Sequence, residues 1–203
     1  LGAFFLLYMI EGMPLGFTAT AIATQMRRQG LSPELIGAFV GSLYLPWAFK
    51  WIAGPIVDTF AVARFGRRRF WILLTQIGMM ATLLVAMPVD FAHQLPLFTA
   101  LILLHNSFGA TQDVAIDALA VNVLPESERG TANGFMFSGA YLGQAVGGSG
   151  VLFLTPVIGF SNTFMVVCAW IACVTLFVVL PLREQAMPAR IVGLLFLASG
   201  AYC

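Results

Sequence analysis

Apolar positions along the chain collect into runs of about twenty residues, a length that lets a helix cross a bilayer core. Six runs are complete, at 2–26, 33–57, 70–88, 97–124, 131–155 and 162–180, and a seventh opens at 191. The breaks between them carry end signals. In "RRQGLSPE" Ser32, Pro33 and Glu34 supply a helix cap, a first-turn proline and an early acid. "VDFAHQLP" and "PESERG" close the third and fourth runs. The pattern predicts an all-α membrane protein with six transmembrane helices and the start of a seventh. Residues 1–181 form the six-helix unit, 182–190 a connecting loop, and 191–203 the first part of the next helix.

Composition sharpens this. Hydrophobic residues make up 60% of the chain and charged ones 9%, against roughly 25% charged in a soluble domain. A net charge of +1 gives no ground for nucleic-acid binding; position matters more. Loops after even-numbered runs hold Arg64, Arg67, Arg68, Arg69, Arg129, Arg183 and Arg190, those after odd-numbered runs only Arg27 and Arg28. This bias puts the even-side loops and the N-terminus in the cytoplasm. Cys168, Cys173 and Cys203 make no disulfide framework. The chain opens on Leu1 and ends inside an apolar run, so both ends read as cut. Secondary transporters are often two similar halves of about six spans, with the substrate path between them. One such half and the beginning of the next fits this layout.

The fourth run contains "ATQDVAIDALAVNVLPESERG", and it is unexpectedly polar. Asn106, Gly109, Asp113 and Asp117 recur at spacings of three, four and four, which places them on one helical face, with His105 and Gln112 flanking. An acid at the centre of a membrane helix costs about 2.5–3.5 kcal/mol. The stripe therefore faces a cavity or a partner helix. Asp117, near the helix end, is expected to be solvated or to pair with Arg129. Asp113 lies deeper and is the stronger candidate for transport.

Two more charges lie inside spans. Glu11 precedes "GMPLG", where Pro14 loosens the helix, and reads either as a helix–helix hydrogen bond or as a protonatable group on the path. Lys50 lies eight residues before Asp58, roughly 12 Å inward at 1.5 Å per residue. It either snorkels to the headgroups or pairs with Glu11 or Asp113. In the fifth run Gly139, Gly143 and Gly147 form a small-residue ridge for helix packing, with Tyr141 and Gln144 as candidate polar contacts. Trp47, Trp51, Trp71 and Trp170 read as interface anchors or packing.

The second run ends in "GPIVDTFAVARFGRRR". Here Gly54 admits close helix approach, Asp58 can cap or pair, and Arg67, Arg68 and Arg69 follow Gly66. This arrangement resembles the loop between spans two and three of the major facilitator superfamily, with a longer gap between Asp58 and Gly66 than that family's usual one. Together with "FKWIAGPIVD" and "TQDVAIDALAVNVLPESERGTANG" it resembles the branch holding the AmpG-type muropeptide permeases and the acetyl-CoA transporters. The resemblance implies the N-terminal half of a major facilitator fold, with Gly54, Asp58, Gly66 and Arg67–Arg69 as a cytoplasmic gate loop. It further implies a proton-coupled importer of a bulky polar metabolite, cell-wall sugar–peptide fragments first, in the inner membrane. Glu11, Lys50, Asn106, Gln112, Asp113 and Asp117 are the expected path residues. Expected partners are the small-molecule substrate, the lipid bilayer and the C-terminal half of the same chain; no cofactor or metal is expected.

Two other classes compete. Gly109, Asp113 and Asp117 match the back half of a metal-binding motif of membrane phosphotransferases, but the further aspartates and Ala-Arg pair that chemistry needs are missing upstream. A six-span module working as an oligomer, or as a receptor, is the other; a full reading frame twice this length would end it.

Overall fold

The Ser32 hydroxyl accepts a hydrogen bond from the Leu35 N–H at 3.4 Å, and Pro33, which has no N–H to lose, takes the first turn. This is how the chain turns into its second helix. In the computed structural model, residues 1–60 and 66–181 are described. They form α1 (Gly2–Arg28), α2 (Pro33–Thr59), α3 (Arg67–Ala86), α4 (Leu95–Val123), α5 (Glu126–Ile158) and α6 (Phe160–Val179). The 182–190 loop and the seventh run, with Arg183, Arg190 and Cys203, lie outside the described residues, as does Arg64.

Five of the six helices are long and apolar enough to cross a membrane; the exception is α4. At 29 residues it spans about 43 Å, ample for a bilayer core. Its average apolarity is diluted by His105, Asn106, Gln112 and Asp113, all turned into the bundle. Its outward positions, such as Leu97 and Leu104, stay apolar. The same holds around the molecule: Ile77, Val85, Phe153, Val157 and Phe177 are all more than half exposed. Such a surface suits hydrocarbon and would be a liability in water.

α1 is the most enclosed helix. It packs along α5, meets α4 and α6, and touches α2 near their connection, while α3 lies against α4 and α6. The α1–α5 contact is made backbone to backbone. A Cβ built on Gly12 would fall on the Ala140 carbonyl, and one on Gly16 on that of Gln144. Reciprocally, Gly139 faces the Phe5 carbonyl, Gly143 that of Met9 and Gly147 that of Met13. Absence of side chains lets the helices approach this closely. Pro14 cannot donate to the preceding turn, and α1 continues beyond it as a wider π-helical stretch over Phe17–Ile22. A matching stretch in α5, Val146–Gly150, lies beside it.

Buried apolar side chains form two groups, one toward each membrane face. One contains Phe17, Phe39, Phe98, Ile102 and Phe164, with Phe17 and Phe164 edge to face at 4.8 Å. The other contains Phe4, Leu7, Ile10, Ile72, Ile116 and Leu119. Between them, at the level where α1 passes from Ile10 to Met13, lies a polar layer that includes Glu11, Gln112 and Asp113.

Candidate functional site

The polar layer is assembled from α1, α2 and α4, and a proline in α2 makes it possible. Pro46 has no N–H for the Ser42 carbonyl, so the helix loosens there. The Trp47 N–H donates to the Tyr44 carbonyl at 3.1 Å, one residue short of the α-helical spacing. The Leu43 carbonyl, which Trp47 would serve in an unbroken helix, instead accepts from Asn106 Nδ2 of α4 at 2.9 Å. A 3₁₀ turn over Lys50–Ile52 follows. The break carries two polar side chains to α1 and α4.

Lys50 Nζ donates to Asp113 Oδ2 at 2.8 Å, an ion pair in the middle of the membrane span. Of the two partners left open by the sequence, Asp113 and not Glu11 takes the lysine. Trp47 Nε1 donates to Glu11 Oε1 at 3.2 Å, and its ring lies beside Gly109. Trp47 is therefore a ligand of the buried acid rather than an interface anchor. Glu11 Oε2 is buried without a hydrogen-bond partner among the described residues, as are both polar atoms of the Gln112 side chain. Tyr8 Oη donates to Asp117 Oδ1.

Of the two alternatives for Asp117, solvation or pairing with Arg129, the pairing is not formed. Arg129 Nη2 donates to the Val121 carbonyl at 2.9 Å and its Nε to that of Leu124 at 3.4 Å. The guanidinium closes the C-terminal end of α4, whose last carbonyls lack partners within the helix. His105 lies apart from the site, with Nδ1 3.3 Å from Thr82 Oγ1 and 3.1 Å from the Met79 carbonyl. Asp113 and Asp117 thus point to different partners and do not converge on one shared position.

At the arginine-bearing end, Arg68 Nη1 lies 2.5 Å from Asp58 Oδ1, tying the end of α2 to the start of α3. Trp71 Nε1 donates to the Phe60 carbonyl at 2.9 Å, and Arg69 donates to the Leu180 carbonyl beyond α6. Gly66 precedes Arg67, the first residue of α3, with φ 83° and ψ 159°, a conformation open essentially to glycine alone. Gly54 differs from its expected role. A Cβ placed there meets nothing within 4 Å, so it admits no close neighbour among the described residues.

Tyr8 and the break at Pro46 are not legible from sequence in the same way. A tyrosine in an apolar run resembles any other aromatic; only its spacing of three before Glu11 hints at a shared face. Pro46 inside a run that otherwise reads as one helix is the available signal for the break. Replacing Asn106 by leucine tests that break directly. With the Leu43 carbonyl left buried and unpaired, the protein is expected to lose about 1–3 kcal/mol, read as a lower thermal unfolding midpoint in detergent.

The sequence profile of the Major Facilitator Superfamily matches residues 4–193. The chain belongs to the major facilitator superfamily. Among similar proteins, an uncharacterized protein of Haemophilus influenzae is 29% identical over 155 residues, covering 76% of this chain and 36% of its own length. The anhydromuropeptide permease of Escherichia coli K12 is 29% identical over 182 residues, covering 88% of this chain and 36% of that protein. A putative transporter AmpG 4 of Rickettsia conorii is 27% identical over 193 residues, 92% of this chain and 46% of its own. The chain therefore spans less than half the length of these curated relatives. As a facilitator-superfamily member it has the all-α, multi-pass membrane architecture of that family, and its polar layer lies where the membrane-spanning parts of α1, α2 and α4 meet.

Proposed function

We propose that the chain is the N-terminal half of a proton-coupled secondary transporter that imports a bulky polar metabolite, with anhydro-muropeptide the leading substrate. The observation that carries this reading is the Lys50–Asp113 ion pair inside the membrane span, with two further acids close by, Glu11 held by Trp47 and Asp117 by Tyr8. Acids kept at that depth are costly and mark ion or substrate paths. Glu11 and Asp113 are the proton-coupling pair in this reading, and Asn106 and Gln112 shape the path. Asp117, held by Tyr8, steadies the end of α4. Gly54, Asp58, Gly66 and Arg67–Arg69 make up the gate loop, supported by the Asp58–Arg68 pair. Residues 182–190 join the halves, and 191–203 begin the second. The arginine bias supports an inner-membrane protein with a cytoplasmic N-terminus.

The substrate is suggested by the named permease among the relatives; an acetyl-CoA-type cargo is the alternative. The test uses vesicles carrying the full-length protein and labelled anhydro-muropeptide. An imposed pH gradient is expected to drive accumulation that a protonophore abolishes. No accumulation would remove muropeptide as the substrate.

A further inference from the structure

Lys50 and Asp113 share an ion pair but not an environment. The Asp113 side chain is 7% exposed and that of Lys50 42%. Lys50 lines a cavity of about 360 Å³ with Arg68, Asp117 and Asn122 among the other lining residues. A second cavity, of about 510 Å³, shares Asp117 and Val121 with the first and is lined also by Arg129 and Asn133. An anion entering the first of these cavities meets Lys50 on its open side, while Asp113 holds the enclosed side.

We infer that Lys50 anchors an anionic group of the transported molecule, a carboxylate or a phosphate, and that Asp113 occupies its place in the empty protein. This rests on the transport reading above and names the chemistry of the cargo. The charges around Asp113 set the proton balance of the exchange. α1 contributes Glu11 and the Tyr8 hydroxyl, α2 Lys50, and α4 itself Asp117; Arg68 of α3 and Arg129 of α5 stand across the two cavities. When the anion takes the lysine, Asp113 is left buried without its cation, beside two further acids. A buried charge that loses its partner is strongly destabilised. Asp113 then binds one proton from water at its carboxylate, becoming a neutral acid that both donates and accepts hydrogen bonds. One proton accompanies each anionic group bound at Lys50. Leaving the site reverses both steps: Asp113 gives up the proton and returns to Lys50.

Binding to the purified full-length protein tests this, with labelled anhydro-muropeptide in one arm and acetyl-CoA in the other, to separate carboxylate from phosphate cargo. Asp113→Asn removes the competitor for Lys50 and is expected to tighten binding of the recognised ligand about tenfold, equivalent to about 1.4 kcal/mol. It is also expected to abolish the proton uptake that accompanies binding. Lys50→Gln is expected to abolish binding, Lys50→Arg to retain it, and the fragment with its carboxyls amidated to bind the unaltered protein poorly. Tighter binding by a variant cannot arise from misfolding. Weaker or unchanged binding in Asp113→Asn, or unchanged binding in Lys50→Gln, overturns the exchange while leaving transport standing. Absence of muropeptide uptake in vesicles overturns the substrate reading alone if acetyl-CoA still binds through Lys50. Failure of both ligands to bind overturns the anionic cargo altogether.

Discussion

Replacing Gly143 by valine is expected to prevent the protein from accumulating as a folded, monodisperse species in detergent extracts. The new Cβ would meet the Met9 carbonyl and lie 2.9 Å from the Met13 backbone nitrogen. Neither is the end of a flexible side chain. Relief requires α1 and α5 to separate, and Gly12, Gly16, Gly139 and Gly147 bind the same two helices at the same spacing. Overpacking a core where neighbours can adjust costs about 1–3 kcal/mol, and a backbone clash allows less adjustment than that. Gly143→Ala is expected to be milder but still destabilising. Gly134→Ala supplies the control, since a Cβ there meets nothing within 4 Å on the same helix. It should be neutral, or stabilising by up to about 1 kcal/mol through helix propensity. Fluorescence-detected size exclusion reads all three. Equal behaviour of Gly143→Val and Gly134→Ala would show that α1 and α5 do not meet backbone to backbone at this ridge.

The second large effect concerns coupling. A one-unit pH difference is worth 1.36 kcal/mol for each proton carried, so a one-proton symporter accumulates neutral-equivalent cargo at most about tenfold per pH unit. In the double variant Glu11→Gln, Asp113→Asn the side chains keep their size and shape while proton binding is lost. Accumulation is expected to fall to a ratio of about one, the passive limit. Exchange of labelled for unlabelled substrate across the membrane, which needs no net proton movement, is expected to persist. The single variants divide the work. Loss of accumulation in Asp113→Asn alone, with Glu11→Gln still coupled, would assign the moving proton to the acid paired with Lys50. Retention of full pH-driven accumulation by the double variant would end the proton-coupling role of both residues.

The cost of the membrane accounts for how much of this is legible from the chain. Asp113 stands out because a carboxylate in hydrocarbon needs a reason, and its spacing from Asn106 and Asp117 points the whole stripe inward. Lys50 stands out for the same reason, as does Glu11. Tyr8 and Trp47 do not. Their rings are at home in an apolar run, and only the positions of their single polar atoms make them ligands of Asp117 and Glu11. Arg129 is conspicuous in the sequence but its partner is not, because the unpaired carbonyls at the end of α4 compete for it as well as any acid.

Sequence alone therefore determined the helices, their order, the glycine ridge and which charges lie within the membrane, since each follows from hydropathy period, cap chemistry or the price of burial. Tertiary structure decided the pairings. Whether Lys50 meets Glu11 or Asp113 depends on how α2 is turned after its break at Pro46, and on Asn106 of another helix holding the Leu43 carbonyl. Local patterns record what each residue costs in a membrane, while the partner that offsets the cost lies about a hundred residues away for Tyr8 and Asp117, beyond the reach of any helical or strand period.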